Sequence, residues 1–127
     1  MQPAQILIVD DNPVNLKLAR VLLEGEGYAV QTAVDAESAL ELVSRNNPRL
    51  ILMDVQLPGM DGLQLTRLLK DDEATKGIVI IALTAYAMKS DEQRAKLAGC
   101  DGYVTKPIDL ETLCTLVAHH LRNEAGP

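Results

Sequence analysis

The chain has 127 residues, with twelve basic and eighteen acidic side chains and a net charge of −6 at pH 7. This length suits one domain with a real hydrophobic core. The acidic balance argues against direct nucleic-acid binding, because no basic patch is available to neutralise phosphates. No apolar run has the length of a membrane span or a signal peptide, so we expect a cytoplasmic domain that makes no membrane contact. Cys100 and Cys114 fit neither a disulfide framework nor a metal-ligand spacing, which predicts two reduced thiols.

Five apolar runs alternate with five helix-like stretches along the chain. The apolar runs lie near residues 5–10, 28–33, 49–54, 78–84 and 102–105, and the helix-like stretches near 13–25, 36–46, 62–71, 90–98 and 110–122. Short apolar runs bounded by polar residues are typical of strands that are buried on both faces. Each connection is long enough for a right-handed helical crossover, which predicts a parallel sheet with helices on both faces. Periodicity alone leaves the order of the strands open.

Capping residues mark the ends of the predicted helices. Asparagine, aspartate and serine supply the side-chain oxygens that helix N-termini prefer, and glycine favours helix C-termini. Gly25 and Gly99 are therefore expected to end the first and fourth helices. The residues expected as N-caps are Asn12, which precedes Pro13, and then Asp35, Asp61, Ser90 and Asp109.

Polar side chains stand where four of the predicted strands end. Asp10 and Asp11 follow ILIV, Asp54 follows LILM, Thr84 follows IVIIAL, and Lys106 follows GYVT. In an open parallel sheet the binding crevice lies beyond the carboxyl ends of the strands. Three carboxylates, a hydroxyl and an ammonium group should therefore converge at one edge. This set suits one metal ion and one phosphoryl group.

The three predicted carboxylates create an electrostatic problem that a cation would solve. Each acid alone could serve as a helix cap or turn former. Two carboxylates ~4 Å apart repel by about 4 kcal/mol at an effective dielectric constant of about 20. Three such pairs would cost on the order of 10 kcal/mol, which is comparable to the ~5–15 kcal/mol stability of a whole domain. Protonation would relieve part of this repulsion, but a divalent cation relieves more, and hard oxygen ligands favour Mg²⁺.

The remaining polar groups indicate phosphoryl chemistry. Lys106 is a point charge suited to phosphate oxygens, and the Thr84 hydroxyl can donate a hydrogen bond to one. A carboxylate that faces a lysine and a metal can attack phosphorus and form an aspartyl phosphate. Asp54 is the best candidate for this nucleophile, because it ends a central strand while the adjacent acids after strand one better serve as metal ligands. Pro107 follows Lys106 and allows a cis peptide that aims the lysine inward.

Taken together, the motifs VDDNPVN, MDVQLPGMDG, ALTA and GYVTKP resemble those of the response-regulator receiver domain. The resemblance extends from about Ile6 to Leu121, and it is closest to receivers of hybrid histidine kinases and of single-domain cell-cycle regulators. It implies an α/β, flavodoxin-like (βα)5 fold with strand order 2-1-3-4-5. The whole chain is then expected to form a single receiver domain, with its core at about residues 5–122.

The resemblance also implies a metal-dependent phosphorelay function. Asp54 would be the phospho-acceptor, receiving its phosphoryl group from a histidine kinase or a histidine phosphotransfer protein. Asp11 and Asp54 would bind Mg²⁺ directly, Asp10 would act through a water molecule, and Gln56 would contribute its main-chain carbonyl. The domain would be a signalling module that promotes its own phosphorylation and dephosphorylation, and not an enzyme in the ordinary sense.

The same resemblance assigns residues to phosphoryl binding and to the conformational switch. Thr84 and Lys106 would hold the phosphoryl oxygens, with the peptide between Lys106 and Pro107 in the cis form. Tyr103 matches the aromatic switch position of the family. Phosphorylation would then change a protein-interaction surface that contacts a downstream protein target.

Other functional classes share parts of this pattern. A flavodoxin needs a hydroxyl- and glycine-rich phosphate loop after the first strand, where this chain has DDNPVN. An aspartate-nucleophile phosphatase needs a D-x-D arrangement there, and a non-phosphorylated pseudo-receiver would have lost an acid, the threonine or the lysine. A receiver excised from a hybrid kinase or a multidomain regulator remains the alternative to a single-domain regulator.

The first predicted helix offers a docking surface for the phosphodonor. A helical wheel assigns Leu18, Ala19, Leu22 and Leu23 to the sheet. Val14 and Val21 are then surplus apolar residues beside Lys17, on an arc wider than packing requires. We expect these three residues to dock the histidine kinase or phosphotransfer protein. The chain is expected to be a monomer, with a phosphorylation-dependent dimer as the alternative.

Overall fold

The structure is a computed structural model that describes the main chain of residues 5–55, 57, 59–84, 89–105 and 109–125. The side chains of these residues are described as well, apart from those of 89–91, 110 and 122–125. Within this part of the chain, no helix combines the length and the apolar character needed to cross a membrane.

Five strands and five helices alternate along the chain. They are β1 (Ile6–Val9), α1 (Pro13–Gly25), β2 (Val30–Ala33), α2 (Ala36–Arg45), β3 (Leu50–Asp54), α3 (Gly62–Asp71), β4 (Val79–Thr84), α4 (Lys89–Ala98), β5 (Gly102–Thr105) and α5 (Leu110–Ala125). The strands form one parallel sheet in the order β2-β1-β3-β4-β5. The expected flavodoxin-like (βα)5 fold and its strand order are confirmed.

Helices cover both faces of the sheet, because successive strand side chains point in opposite directions. On one face, Ile6 and Ile8 of β1 pack in a cluster with α1 and α5. On the other face, Leu7 and Val9 pack with α2 and α3. Helix α4 lies on this second face, where Ala95 packs near residues of α3 and β4. The two-sided burial explains why β1, and β3 and β4 up to their last residues, are apolar, whereas the edge strand β2 contains Gln31 and Thr32.

The N-caps expected for four helices are present. Asn12 accepts hydrogen bonds from two main-chain N–H groups at the start of α1, and Asp61 forms a reciprocal capping box with Gln64 at the start of α3. Asp35 accepts from the main chain and hydroxyl of Ser38, and these hydrogen bonds lower the pKa of the Asp35 carboxyl. Asp109 accepts from the main-chain N–H of Glu111 in the first turn of α5.

Two helix ends differ from the expectation. Helix α4 begins at Lys89, so Ser90 lies inside its first turn instead of capping it. Helix α1 does end at Gly25, but the left-handed residue is Gly27, with φ of 98°. The main-chain N–H groups of Glu26 and Gly27 bond back to α1 carbonyls, which delays the reversal by two residues. Gly99, with φ of 107°, ends α4 as expected.

The buried face of α1 is rotated relative to the helical-wheel assignment. Leu16, Ala19 and Leu23 are buried against the sheet, and Leu22 is partly buried. Leu18 was expected in this core, but 54% of its surface is exposed. Leu16, Ala19 and Leu23 have the i, i+3, i+7 spacing of one helix face, so the error is one of rotation about the helix axis.

This rotation can be tested with two equivalent leucine truncations. Leu16→Ala removes a side chain that is 7% exposed and should lower the free energy of unfolding by about 2–4 kcal/mol. Leu18→Ala should change it by no more than about 0.5 kcal/mol, because the side chain lies on the surface. Urea unfolding followed by circular dichroism measures both values. An equal loss in the two variants would place Leu18 in the core after all.

Candidate functional site

Three acidic side chains meet at the carboxyl edge of the sheet. Ligand oxygens of Asp10, Asp11 and Asp54 all lie within 4.8 Å of one another. Asp54 ends β3, and Asp10 directly follows β1, whose last residue Val9 pairs with Met53 in the register of the sheet. The three carboxylates expected at this edge therefore do lie together, and the place of the Lys106 ammonium group stays a prediction.

The three acids differ in exposure. Asp10 is 1% exposed and Asp54 is 4% exposed, whereas Asp11 lies on the surface. At a separation of 4.8 Å, two like charges repel by about 3 kcal/mol at an effective dielectric constant of about 20. Carboxylate oxygens are hard ligands, and a set with one open side suits a Mg²⁺ ion that keeps several waters. The donor set therefore fits magnesium.

The backbone around Asp54 is fixed by the start of α3. The N–H of Gly62 donates to the main-chain oxygen of Val55 at 3.0 Å. A Cβ atom at position 62 would overlap the main-chain oxygen of Asp54 and approach the Met53 side chain. Only glycine allows the helix to begin this close to the strand end. The N-terminus of α3 thus holds the peptide that carries the Asp54 side chain.

Asp10 is oriented by two asparagines of the following segment. Its Oδ1 accepts a hydrogen bond from the main-chain N–H of Asn12 at 2.9 Å, and its Oδ2 faces the side-chain amide Nδ2 of Asn15 at 3.5 Å. The Asn12 side chain meanwhile accepts from the N–H groups of Val14 and Asn15. Sequence analysis recognised Asn12 as a cap but did not identify Asn15.

Thr84 lies at the same edge of the sheet. It is the last residue of β4 and is 1% exposed. The residue before it, Leu83, pairs with Asp54, and its carbonyl accepts the Val55 N–H at 2.9 Å. A hydroxyl group is therefore positioned beside the strand end that carries Asp54.

Three residues of the expected site lie outside the described part of the chain. They are Gln56, Lys106 and Pro107. Thr105, which immediately precedes Lys106, pairs with Thr84 at the end of β5. The expected roles of the three residues, and the cis peptide before Pro107, stay predictions.

Tyr103 lies in β5, opposite Ala82 of β4. It is half-buried and packs against a small cluster between α3, α4 and β4. We call this cluster the alanine cluster, and it consists of Leu63, Ala82, Ala95 and Ala98. Tyr103 also borders a cavity of about 200 Å³, together with Ala95 and Cys100.

Helix α1 presents an apolar stripe to solvent beside the acidic cluster. Val14, Leu18 and Val21 are 71%, 54% and 61% exposed, and we call these three residues the α1 stripe. Lys17 is exposed next to them. Sequence analysis identified the two valines but missed Leu18. The signal that could have found Leu18 is its position four residues after Val14 and three before Val21, on one helical face.

The two cysteines lie away from the acidic cluster. Both are unpaired and half-buried, as expected. The Cys100 thiol lies 3.9 Å from the Thr66 hydroxyl, and burial raises its pKa. Burial also raises the pKa of Cys114 on α5, with a further contribution from the charge of Glu26. Neither thiol has the lowered pKa of a nucleophile.

Comparisons with known proteins agree with this geometry. The family model described as the response regulator receiver domain matches residues 6–118. The polar-differentiation response regulator DivK of Brucella anthropi is 42% identical over 119 residues, which cover 94% of this chain and 97% of the relative.

Two solved structures show the same fold. One is a CheY-like response regulator receiver domain protein from Methanospirillum hungatei, with a TM-score of 0.89, 30% identity and 98% of both chains covered. The other is the receiver domain of a signal transduction histidine kinase from Syntrophus aciditrophicus, with a TM-score of 0.88 and 32% identity. In that pair, 94% of this chain and 91% of the other are covered.

Members of this family are signalling domains that are phosphorylated on an aspartate and bind Mg²⁺ in an acidic pocket. The family match, the identity to a known response regulator, the strand order and the three clustered acids agree with one another. The chain therefore belongs to the response regulator receiver domain family of two-component signalling.

Proposed function

We propose that this chain is a phosphorelay receiver that accepts a phosphoryl group on Asp54 from a histidine kinase or a histidine phosphotransfer protein. The observation that supports this assignment is the position of Asp54 at the end of β3, within 4.8 Å of the ligand oxygens of Asp10 and Asp11. Of the two buried acids in this group, Asp54 is the one beside β4 and Thr84.

The transfer step exchanges one bond to phosphorus for another. A carboxylate oxygen of Asp54 bonds to phosphorus while the P–N bond of the partner's phosphohistidine breaks. The electron pair of that bond stays on the imidazole nitrogen, which takes up a proton. Asp10, Asp11, Asp54 and the main-chain carbonyl of Gln56 would hold Mg²⁺, Asp10 through a water molecule. When bound, the ion neutralises the carboxylates and the phosphoryl oxygens.

Two residues would recognise the phosphoryl group after transfer. Thr84, which is buried at the end of β4, can donate its hydroxyl to one phosphoryl oxygen. Lys106 would supply a positive charge to another, from the end of β5. Pro107 would aim that lysine into the site.

The conformational response would be short-range. A phosphoryl group adds roughly −1.5 to −2 charges and three acceptor oxygens, which draw the Thr84 hydroxyl towards Asp54. Tyr103 would follow by turning inward. The small size of Ala82 and Ala95, which belong to the cluster that Tyr103 packs against, supports this movement. The phosphoryl group shifts the equilibrium between the two conformations only by the difference in its interaction free energy with each of them.

The output would be a contact with a downstream protein. The relative from Brucella anthropi is named a response regulator, and this chain covers 97% of its length. That relation supports an output of the kind that a response regulator of this length has. We propose a monomer, with a phosphorylation-dependent dimer as the second possibility.

The α1 stripe would dock the phosphodonor. Val14, Leu18 and Val21 follow the i, i+4, i+7 spacing of a helix–helix seam, which suits an α-helical partner surface. Lys17 lies beside this seam and can contribute a charged contact at its edge. The stripe begins at the first turn of α1, two residues after the Asn12 cap, so a partner seated on it would stand next to the acidic cluster.

Magnesium should stabilise the protein, because it relieves the repulsion among three carboxylates. Millimolar magnesium chloride should raise Tm at low ionic strength. Asp54→Asn should stabilise the metal-free protein by on the order of 2 kcal/mol, a few degrees in Tm, and should weaken the response to magnesium. Asp71→Asn removes an exposed acid at the far end of α3 and should respond as the wild type does. An unmoved Tm in the wild type would show that the acids share no cation.

Phosphorylation should require both Asp54 and magnesium. Acetyl phosphate with magnesium chloride should add one acid-stable, base-labile phosphoryl group, seen as a single increment in intact mass. Asp54→Asn should abolish this increment, while Asp71→Asn should retain it. Lys106→Ala should keep magnesium binding but impair signalling or turnover. An increment that persists in Asp54→Asn and maps to another residue would disprove the assignment.

Charged residues on the α1 stripe should block the protein donor selectively. Val14→Asp combined with Val21→Asp should slow transfer from a phosphotransfer protein that labels the wild type, by roughly tenfold or about 1.4 kcal/mol. Labelling by acetyl phosphate should not change. Leu97→Asp, at a residue on α4 that is 82% exposed, is the matched control and should leave both reactions intact. Equal slowing with both donors would mean that the changes damage the fold or the site.

A further inference from the structure

Asn15 occupies an unusual position in the first turn of α1. Its side chain is half-buried, and its amide Nδ2 lies 3.5 Å from Oδ2 of Asp10, the most buried of the three clustered acids. The other Asp10 oxygen is bonded to the main-chain N–H of Asn12. The two asparagines therefore contact the carboxylate from opposite ends.

Helix formation does not explain an asparagine at this place. Asn12 already caps α1, and its side chain accepts the main-chain N–H of residue 15, which any amino acid except proline would provide there. The feature that only a polar side chain supplies is the amide donor directed at Asp10.

We infer that Asn15 is a positioning residue for the metal site: its side-chain amide fixes the plane of the Asp10 carboxylate, so that the remaining lone pairs point towards the acidic cluster. This role rests on the proposed magnesium site. Donors that hold a direct metal ligand in place commonly change metal affinity by 10- to 100-fold. Asp10 would reach the ion through a water molecule, so Asn15 acts one step further from it. The distance of 3.5 Å is long for a hydrogen bond, so the lower end of that range applies.

The contribution of Asn15 can be measured by magnesium affinity alone. Asn15→Leu keeps nearly the same shape without the donor, and Asn15→Ala removes both. A titration of amide NMR shifts with magnesium chloride at 25 °C gives Kd for each folded variant. Both variants should bind roughly tenfold more weakly than the wild type.

Asn47→Ala is the matched control: Asn47 donates its amide to the Ala74 carbonyl at 2.9 Å, away from the acids. Loss of this hydrogen bond should lower Tm but leave the Kd for magnesium unchanged.

The outcomes separate the two proposals. A wild-type Kd in both Asn15 variants, with or without a lower Tm, would overturn the positioning role and leave the magnesium site standing. No shift change in the wild type would overturn the magnesium site and the role of Asn15 together. Weaker binding in both Asn15 variants with an unchanged Asn47→Ala supports the inference.

Discussion

Repulsion among three carboxylates at one sheet edge is the constraint on which the rest of the structure depends. Two of the acids are almost fully buried, and the strands that carry them, β1 and β3, have no exposed residue. The apolar core on both faces of these strands must hold like charges together. Hydrogen bonds and close packing keep the buried acids in place. Asn12 and Asn15 contact the carboxylate of Asp10. Gly62 allows the start of α3 to pack directly against the main chain of Asp54. The resulting group of acids matches the acidic pocket in which members of the receiver family bind Mg²⁺.

Most of the fold could be predicted from the sequence because burial and capping are local. Apolar runs such as LILM before Asp54 predict buried strands, and Asn12 and Asp61 define helix starts by their own hydrogen bonds. The errors concern geometry that spacing does not encode. Leu18 and Leu16 both fit an apolar helix face, and only the packing of α1 on the sheet decides which is buried. Strand order likewise required the family resemblance.

The site could be predicted in part, since the ends of parallel strands meet at one edge whatever the helices do. Asp10, Asp11 and Asp54 converge as that rule requires, and Thr84 ends the neighbouring strand. Asn15 could not be predicted, because a contact between an amide and a carboxylate five residues earlier depends on side-chain rotamers at a turn. Gln56 and Lys106 remain predictions drawn from the family resemblance, outside the described residues.

The alanine cluster packs α4 against the sheet through small side chains. Among the described side chains of α4, those buried are Ala95 and Ala98, whereas α1 and α5 each bury two leucines. Each methylene removed from water contributes about 0.8 kcal/mol, so the described part of α4 gains less free energy from burial than α1 or α5 does. Displacing the described part of α4 would break less apolar contact than displacing α1 or α5. The face that carries the α1 stripe is therefore packed through large side chains, and the face beside Tyr103 through small ones.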